Sequence, residues 1–282
     1  MTLVARRRPA LRALAVYAGL TPFLVIALFP VLWMLITAFK HEADLYAMRF
    51  PLWFHQAPTL KHFRLLFTQT WFATWVGNTV LVSVLVVAIT LATSVPAAYA
   101  LARLRLPAAA STASALFVTA LVPPILLFLP LAPAVAGLRL FDSWWALVVL
   151  YPTLTIPFCT WLMMGFFRAL PRRLEEAAWL DGCGVAGAFV RIVLPLSLPG
   201  IATAGVFAFT LSMQEYLYAV VFASPVDQKT VSVGLPTMLV RGDIYFWGAL
   251  MAGALLVGLP AALAFNAILD RFVHRLTGVA EQ

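Results

Sequence analysis

The chain has 282 residues, 63% of them hydrophobic and 11% charged, against about a quarter charged in an ordinary soluble domain. No soluble core could hide that much apolar surface, which excludes a freestanding globular domain. The formal net charge of +8 does not indicate a nucleic-acid binder, which gathers its basic residues on one soluble face, because here they flank long apolar runs.

Six runs are long enough to cross about 30 Å of hydrocarbon, at residues 13–39, 76–101, 112–136, 144–167, 198–222 and 246–269. Within lipid the backbone must satisfy its own hydrogen bonds, so each run is expected to be a helix. The expected fold is therefore an all-α polytopic membrane protein of about six transmembrane helices, a single domain over 1–282. Arg6, Arg7 and Arg8 ahead of the first run resemble a secretory signal. That run outlasts an h-region of about 7–15 residues and no small-x-small cleavage site follows promptly, so it is expected to persist as the first helix.

The following loop, 40–75, holds His41, His55 and His62. They lack metal spacing with acids or cysteines and are expected on a solvated surface. The third span carries Pro123, Pro124, Pro130 and Pro133; each removes a backbone donor, so this helix is expected to break or bend. It would either line a cavity, as interrupted helices do in transporters, or simply pack with a kink. Cys159 in the fourth span and Cys183 in the next loop fall in a membrane and a reducing compartment, where no disulfide is expected. Glu215 is the one acid or base inside the six runs, and such groups face a bundle interior or a watered cavity. With both termini placed in the cytoplasm, 12 basic residues lie on inner segments and 7 on outer ones, the bias of positive-inside topology.

Residues 168–197 form the one long inner loop. Pro171 suits the first position of a helix and Gly182 the left-handed residue just past its end. Leu174, Ala177 and Ala178 share a face by spacing, and Glu175 and Glu176 lie near the positive helix end. The two alanines offer a low profile over which another protein could approach. A second helix is expected at about 185–193, with Phe189, Ile192 and Val193 on one side and Pro195 stopping it. Residues alone leave two readings open: an amphipathic pair lying on the bilayer or the protein's own spans, or a docking surface.

Glu176-Ala177-Ala178, three residues, Gly182, nine residues, then Ile192-x-Leu194-Pro195 resembles the E-A-A loop of permease subunits of ATP-binding-cassette (ABC) importers. Asp181 and Phe189 resemble the carbohydrate branch. Asn78-Thr79, Tyr99-Ala100-x-Ala102-Arg103, Phe141-Asp142, Thr230-x-x-Val233-Gly234-Leu235 and Gly248-x-x-Met251-Ala252-Gly253 are similar to the same branch, so the resemblance covers nearly the whole chain. It is most similar to the shorter, second permease of maltose-type importers. Met213-Gln214-Glu215-Tyr216 stands where that branch commonly has Trp-Asn-Glu-Phe, and Arg275 where it often has glycine.

The resemblance implies a type I ABC importer permease fold with a cytoplasmic coupling helix, in a bacterial or archaeal inner membrane. Glu176, Ala177, Ala178, Asp181, Gly182, Phe189, Ile192, Leu194 and Pro195 would couple to the ATPase. Partners would be a second permease, two ATP-binding subunits and an extracytoplasmic binding protein that delivers a sugar or, alternatively, glycerol phosphate or another small solute. The chain has no G-x-x-x-x-G-K-[S/T] loop, so ATP and magnesium would sit on the partner ATPases and the permease itself would hold no cofactor and catalyse nothing. Asn78, Gln214, Glu215 and Tyr218 would border the cargo path; the alternative for Glu215 is a hydrogen bond between spans. A self-sufficient secondary carrier would line its spans with relay charges, and Glu215 alone qualifies.

Overall fold

The computed structural model describes residues 7–47, 52–104 and 106–277. Arg6, Arg105 and the tail at 278–282 lie outside them, as does the side chain of Arg275. In chain order the helices are α1 (Arg7–Phe39), α2 (Glu42–Tyr46), α3 (Lys61–Gln69), α4 (Phe72–Arg103), α5 (Ala109–Leu121), α6 (Pro124–Gly137), α7 (Trp145–Ala169), α8 (Arg173–Leu180) and α9 (Val185–Ala188). A π-helical turn (Phe189–Val193) leads to α10 (Leu194–Leu196), α11 (Leu198–Gln214), α12 (Leu217–Phe222) and α13 (Val231–Leu239), then to strands β1 (Val240–Arg241) and β2 (Ile244–Tyr245) and to α14 (Trp247–Thr277). Four of these are long and apolar enough to cross a membrane singly, and two bent pairs bring the number to six if each pair counts as one span.

The chain divides into two compact units. The first comprises residues 1–70 and 237–259. Its longest element, α1, shows Phe23 and Ile26 each 72% exposed, as a helix facing hydrocarbon does. The expected loop after it is largely structured. Thr59 donates its N–H to the Phe39 carbonyl at 2.8 Å, and the Asp44 carboxylate accepts from the backbone N–H groups of His55 (2.9 Å) and Gln56 (3.0 Å). His62 is not on a solvated surface: it is 2% exposed, its Nε2 lies 2.8 Å from the Lys40 carbonyl, and its ring fills the space a side chain at Gly248 would need. The apolar neighbourhood and a ready carbonyl override the polarity of imidazole. The region expected as a second outer loop likewise ends in a hairpin, with Val240 opposite Tyr245 and Arg241 opposite Ile244.

The second unit comprises 71–236 and 260–282. Its centre is α4 against α7, with α11 lying on both. Gly200, Ala204, Ala208 and Ser212 are the buried residues of α11, small groups at every fourth position that let membrane helices approach closely. One cluster packs Val82, Val86, Leu147, Tyr151, Tyr218 and Phe222; another packs Tyr99, Cys159, Met163, Phe167, Val193 and Ala208. The proline cluster does break the third span: α5 and α6 meet at 99° around Val122 and Pro123. The Tyr218 hydroxyl donates to the Pro124 carbonyl at 2.7 Å, tying α12 to the start of α6.

The fifth span departs from an unbroken 198–222 helix. It stops at Gln214, Glu215 is extended (φ −64°, ψ 129°), and the chain resumes at Leu217. Pro195 does not stop the preceding helix either, since α10 runs through it and the bend, 73°, falls at Ser197. Proline is tolerated at a first helical turn, where Pro195 stands in α10 just after the π turn.

Candidate functional site

The 168–197 loop starts where α7 ends. Leu170 is extended, as a residue before proline prefers, so Pro171 turns the chain before α8 rather than opening it: Arg172 is the N-cap. The helix ends as its glycine predicts. Gly182 has φ +83°, its N–H bonds to the Trp179 carbonyl at 3.1 Å, and the Cys183 N–H reaches Ala178 at 2.9 Å. This is a Schellman cap, which satisfies carbonyls that would otherwise be orphaned at the helix end.

One face of α8 is turned into the protein. Glu175 and Ala178 are its buried residues, whereas Glu176 and Ala177 are exposed and Leu180 is 90% exposed. The two alanines therefore do not form one outward platform. Ala178 packs at 4% exposure, because the inward face runs through positions 175 and 178 rather than 174, 177 and 178. Asp181, Gly182 and Pro195 are exposed, and Phe189, Ile192 and Leu194 are half-buried. Ala188, Val193 and Ser197 are the fully buried members of the second half of the loop.

Burying Glu175 demands compensation, since an unpaired carboxylate out of water is costly by several kcal/mol. Its Oε1 lies 3.0 Å from Arg103 Nε, a close ion pair without the alignment of a linear hydrogen bond. The Tyr99 hydroxyl donates to Oε2 at 2.9 Å. Arg103 also donates from Nη2 to the Leu170 carbonyl, at 2.6 Å, at the end of α7. Both charged side chains are about 95% covered, with 4% and 5% exposure. Phe189 packs against Tyr99 with its ring tilted by 38° at 4.5 Å between centroids, and Phe167 meets Tyr99 edge-on at 5.8 Å. Sequence reading had Tyr99, Arg103 and Glu175 in hand separately but not as a cluster, because nothing in local spacing joins the end of α4 to a loop some seventy residues on.

The four residues expected along the cargo path lie in two places. Asn78 Nδ2 donates to the carbonyls of Asp227 (2.7 Å) and Lys229 (3.0 Å), clamping the loop after α12. Glu215 sits at the break between α11 and α12. Its carboxylate accepts the backbone N–H groups of Tyr218 (3.0 Å) and Ala219 (3.2 Å) and the Tyr151 hydroxyl (2.9 Å), while its carbonyl accepts the Ser232 hydroxyl at 2.8 Å. Tyr218 is buried. Gln214 and its neighbour Tyr216 are exposed at the break.

Residues 94–278 match the family model described as binding-protein-dependent transport system inner membrane component. The sulfoquinovosyl glycerol transport system permease protein SmoH of Agrobacterium fabrum is 38% identical over 255 residues, 90% of this chain and 88% of that one. The diacetylchitobiose uptake system permease protein DasC of Streptomyces coelicolor is 30% identical over 280 residues, 99% and 98% of the two chains. A crystal structure of a bacterial ABC transporter involved in the import of the acidic polysaccharide alginate superposes with a TM-score of 0.77 at 19% identity, covering 94% of this chain and 98% of that one; this likeness establishes the fold, that of a type I importer permease. With its apolar helices, its matched family and relatives spanning nearly its full length, the chain belongs to the binding-protein-dependent transport system inner membrane components and is a membrane-embedded permease subunit of an ABC importer.

Proposed function

We propose that this permease pairs with a second, different permease to form the path for a sugar, that an extracytoplasmic binding protein delivers the sugar, and that two ATP-binding subunits drive it by alternating access. ATP and magnesium belong to those subunits. Both termini and the 168–197 loop lie in the cytoplasm, an orientation supported by the 12 to 7 distribution of basic residues. The carbohydrate assignment is supported by the relatives' names, in which sulfoquinovosyl glycerol and diacetylchitobiose are both glycosides.

The observation that carries the reading is the two-sidedness of α8. Its back is held by a buried ion pair, while Glu176, Ala177, Leu180 and Asp181 face outward and are left for another protein. On this reading the ATPase covers that exposed face, Gly182 sets its angle, and Phe189, Ile192 and Leu194 seat the second half of the loop against the spans. Along the path, Gln214 and Tyr216 offer the groups open to cargo or to the second permease, and Glu215, Tyr218 and Asn78 shape the rim behind them.

The test is reconstitution of the assembled transporter in liposomes with its binding protein. Sugar-loaded binding protein should stimulate ATP hydrolysis and uptake, and Ala177→Arg should abolish ATPase docking. Stimulation by glycerol phosphate with no response to any neutral sugar or glycoside would overturn the cargo assignment. Undiminished ATPase binding after Ala177→Arg would overturn the docking face.

A further inference from the structure

We propose that Tyr99, Arg103 and Glu175 form the joint through which movement of α8 reaches α4 and α7, with all three acting as positioning residues. This rests on the reading of α8 as the ATPase-docking helix and names the device that makes docking mechanically useful.

The geometry is that of a coupling rather than of an anchor. Glu175 divides its two oxygens between Arg103 and Tyr99, which lie four residues apart and so on one face of α4. The same guanidinium reaches the Leu170 carbonyl at the end of α7. A single planar cation thus ties three elements at fixed angles, a task for which arginine's rigid fork is suited and lysine's point charge is not. Tyr99, Phe167 and Phe189 surround the polar group with rings, and Phe189 opens the π-helical turn, so the second half of the loop is held by the same node.

Stability alone does not explain such a cluster. A buried ion pair gains little over a well-packed apolar pair of similar volume, and its best-attested use is to specify register. Here the register is that of α8. Rotation about its own axis would pull Glu175 from both α4 partners and leave buried charges unpaired, so a push on the exposed face is passed on as displacement of α4 and α7 together. Adjacent acids divide the work: Glu175 faces the spans and Glu176 faces outward.

The experiment uses the assembled transporter in liposomes and compares Tyr99→Phe, Glu175→Gln and the apolar double variant Arg103→Met with Glu175→Leu. Three quantities are read: affinity for the ATPase subunits, thermal midpoint, and solute imported per ATP hydrolysed. The expected result is docking retained within about twofold but import per ATP reduced roughly tenfold in the double variant, within the usual range of coupling between two sites, with smaller losses of the same kind in the single variants. Unchanged import per ATP in a double variant that assembles would overturn the proposal. So would a double variant that fails to assemble while Glu175→Gln and Tyr99→Phe import normally, since the node would then serve folding alone. Failure of the docking reading shows separately, as ATPase affinity that is insensitive to Ala177→Arg.

Discussion

Gly182→Val tests whether the conformation at the end of α8 matters to docking. An added Cβ at Gly182 meets nothing within 4 Å, so a side chain there starts in open space and the effect expected is that of backbone strain. At φ +83° a side-chain-bearing residue is strained by about 1–2 kcal/mol, with a β-branched one at the upper end. A strain of that size moves the equilibrium against the capped conformation by roughly five- to thirty-fold. The bonds at risk are Gly182 N–H to Trp179 and Cys183 N–H to Ala178, and α8 has only eight residues, too few to persist without its caps and packing. Titration of the ATPase subunits against the permease in lipid nanodiscs should show weaker binding by a similar factor. Gly182→Asn should lose far less, because asparagine tolerates the left-handed region. The control is Gly184→Thr: that residue has φ −68° and ψ 170° and caps α9, with nothing within 4 Å of a new Cβ, and threonine is a good N-cap. Equal affinities for Gly182→Val and Gly184→Thr would refute the argument, since they share bulk and β-branching and differ in backbone strain.

Gly234→Ala should lower thermal stability by about 1–3 kcal/mol, the cost of overpacking, because its Cβ would overlap the ring of Trp75, which is 1% exposed and tethered through Nε1 to the Val226 carbonyl at 2.7 Å; an unchanged melting midpoint would count against it. At Asp44, burial pushes the carboxyl pKa up, but the two backbone N–H groups of Gln56 and His55 outweigh it and leave the group below its usual value. A depressed carboxylate contributes fully above its unfolded pKa of about 3.9 and loses that contribution as pH falls through the folded value, so the protection of the His55 and Gln56 amides, taken relative to the intrinsic exchange rate at each pH, should fall only in acid, and in Asp44→Asn that acid-dependent loss should be absent. Single cysteines at Ala57 and Ser224 should react with an impermeant thiol reagent outside intact cells and one at Ala186 should not; all three sites are exposed, whereas neighbouring Ala188 is fully buried and would stay silent on either side.

Much of the architecture was legible because membrane spans are written redundantly. Each needs some twenty apolar residues in a row, and a misplaced boundary of several residues still finds the helix. Proline was equally readable, since a missing N–H acts locally, and the 99° break between α5 and α6 falls at the densest cluster. What failed was inference about faces. Leu174, Ala177 and Ala178 share a side of α8 by spacing, yet the buried pair is Glu175 and Ala178, because a partner charge at Arg103 made it favourable to turn an acid inward. His62 failed for the same reason: the loop around it looks polar, and the Lys40 carbonyl that receives it is invisible to side-chain composition. Long-range polar partners decide which side of a short element is inside, and one sequence holds no record of them.

Glu215 shows the converse, a residue singled out for one property and explained by another. Its charge within an apolar run drew attention to it, as a carboxylate at membrane depth is costly unless paired. The compensation comes from the backbone. Ending α11 at Gln214 and restarting at Leu217 frees the first N–H groups of α12, which have no intrahelical partner, and the carboxylate receives those of Tyr218 and Ala219. The break satisfies the acid and the acid satisfies the break, so neither persists without the other within a nonpolar surround. With the Tyr151 hydroxyl on Oε2 as well, the carboxylate has few lone pairs left for a ligand. Glu215→Gln replaces one acceptor oxygen with a donor facing these N–H groups, and a buried donor left unsatisfied costs about 1–3 kcal/mol. The variant should therefore melt earlier whether or not cargo passes nearby. A cargo-binding role would appear as a change in substrate affinity beyond that seen on altering Gln214, the exposed neighbour that the same break turns outward.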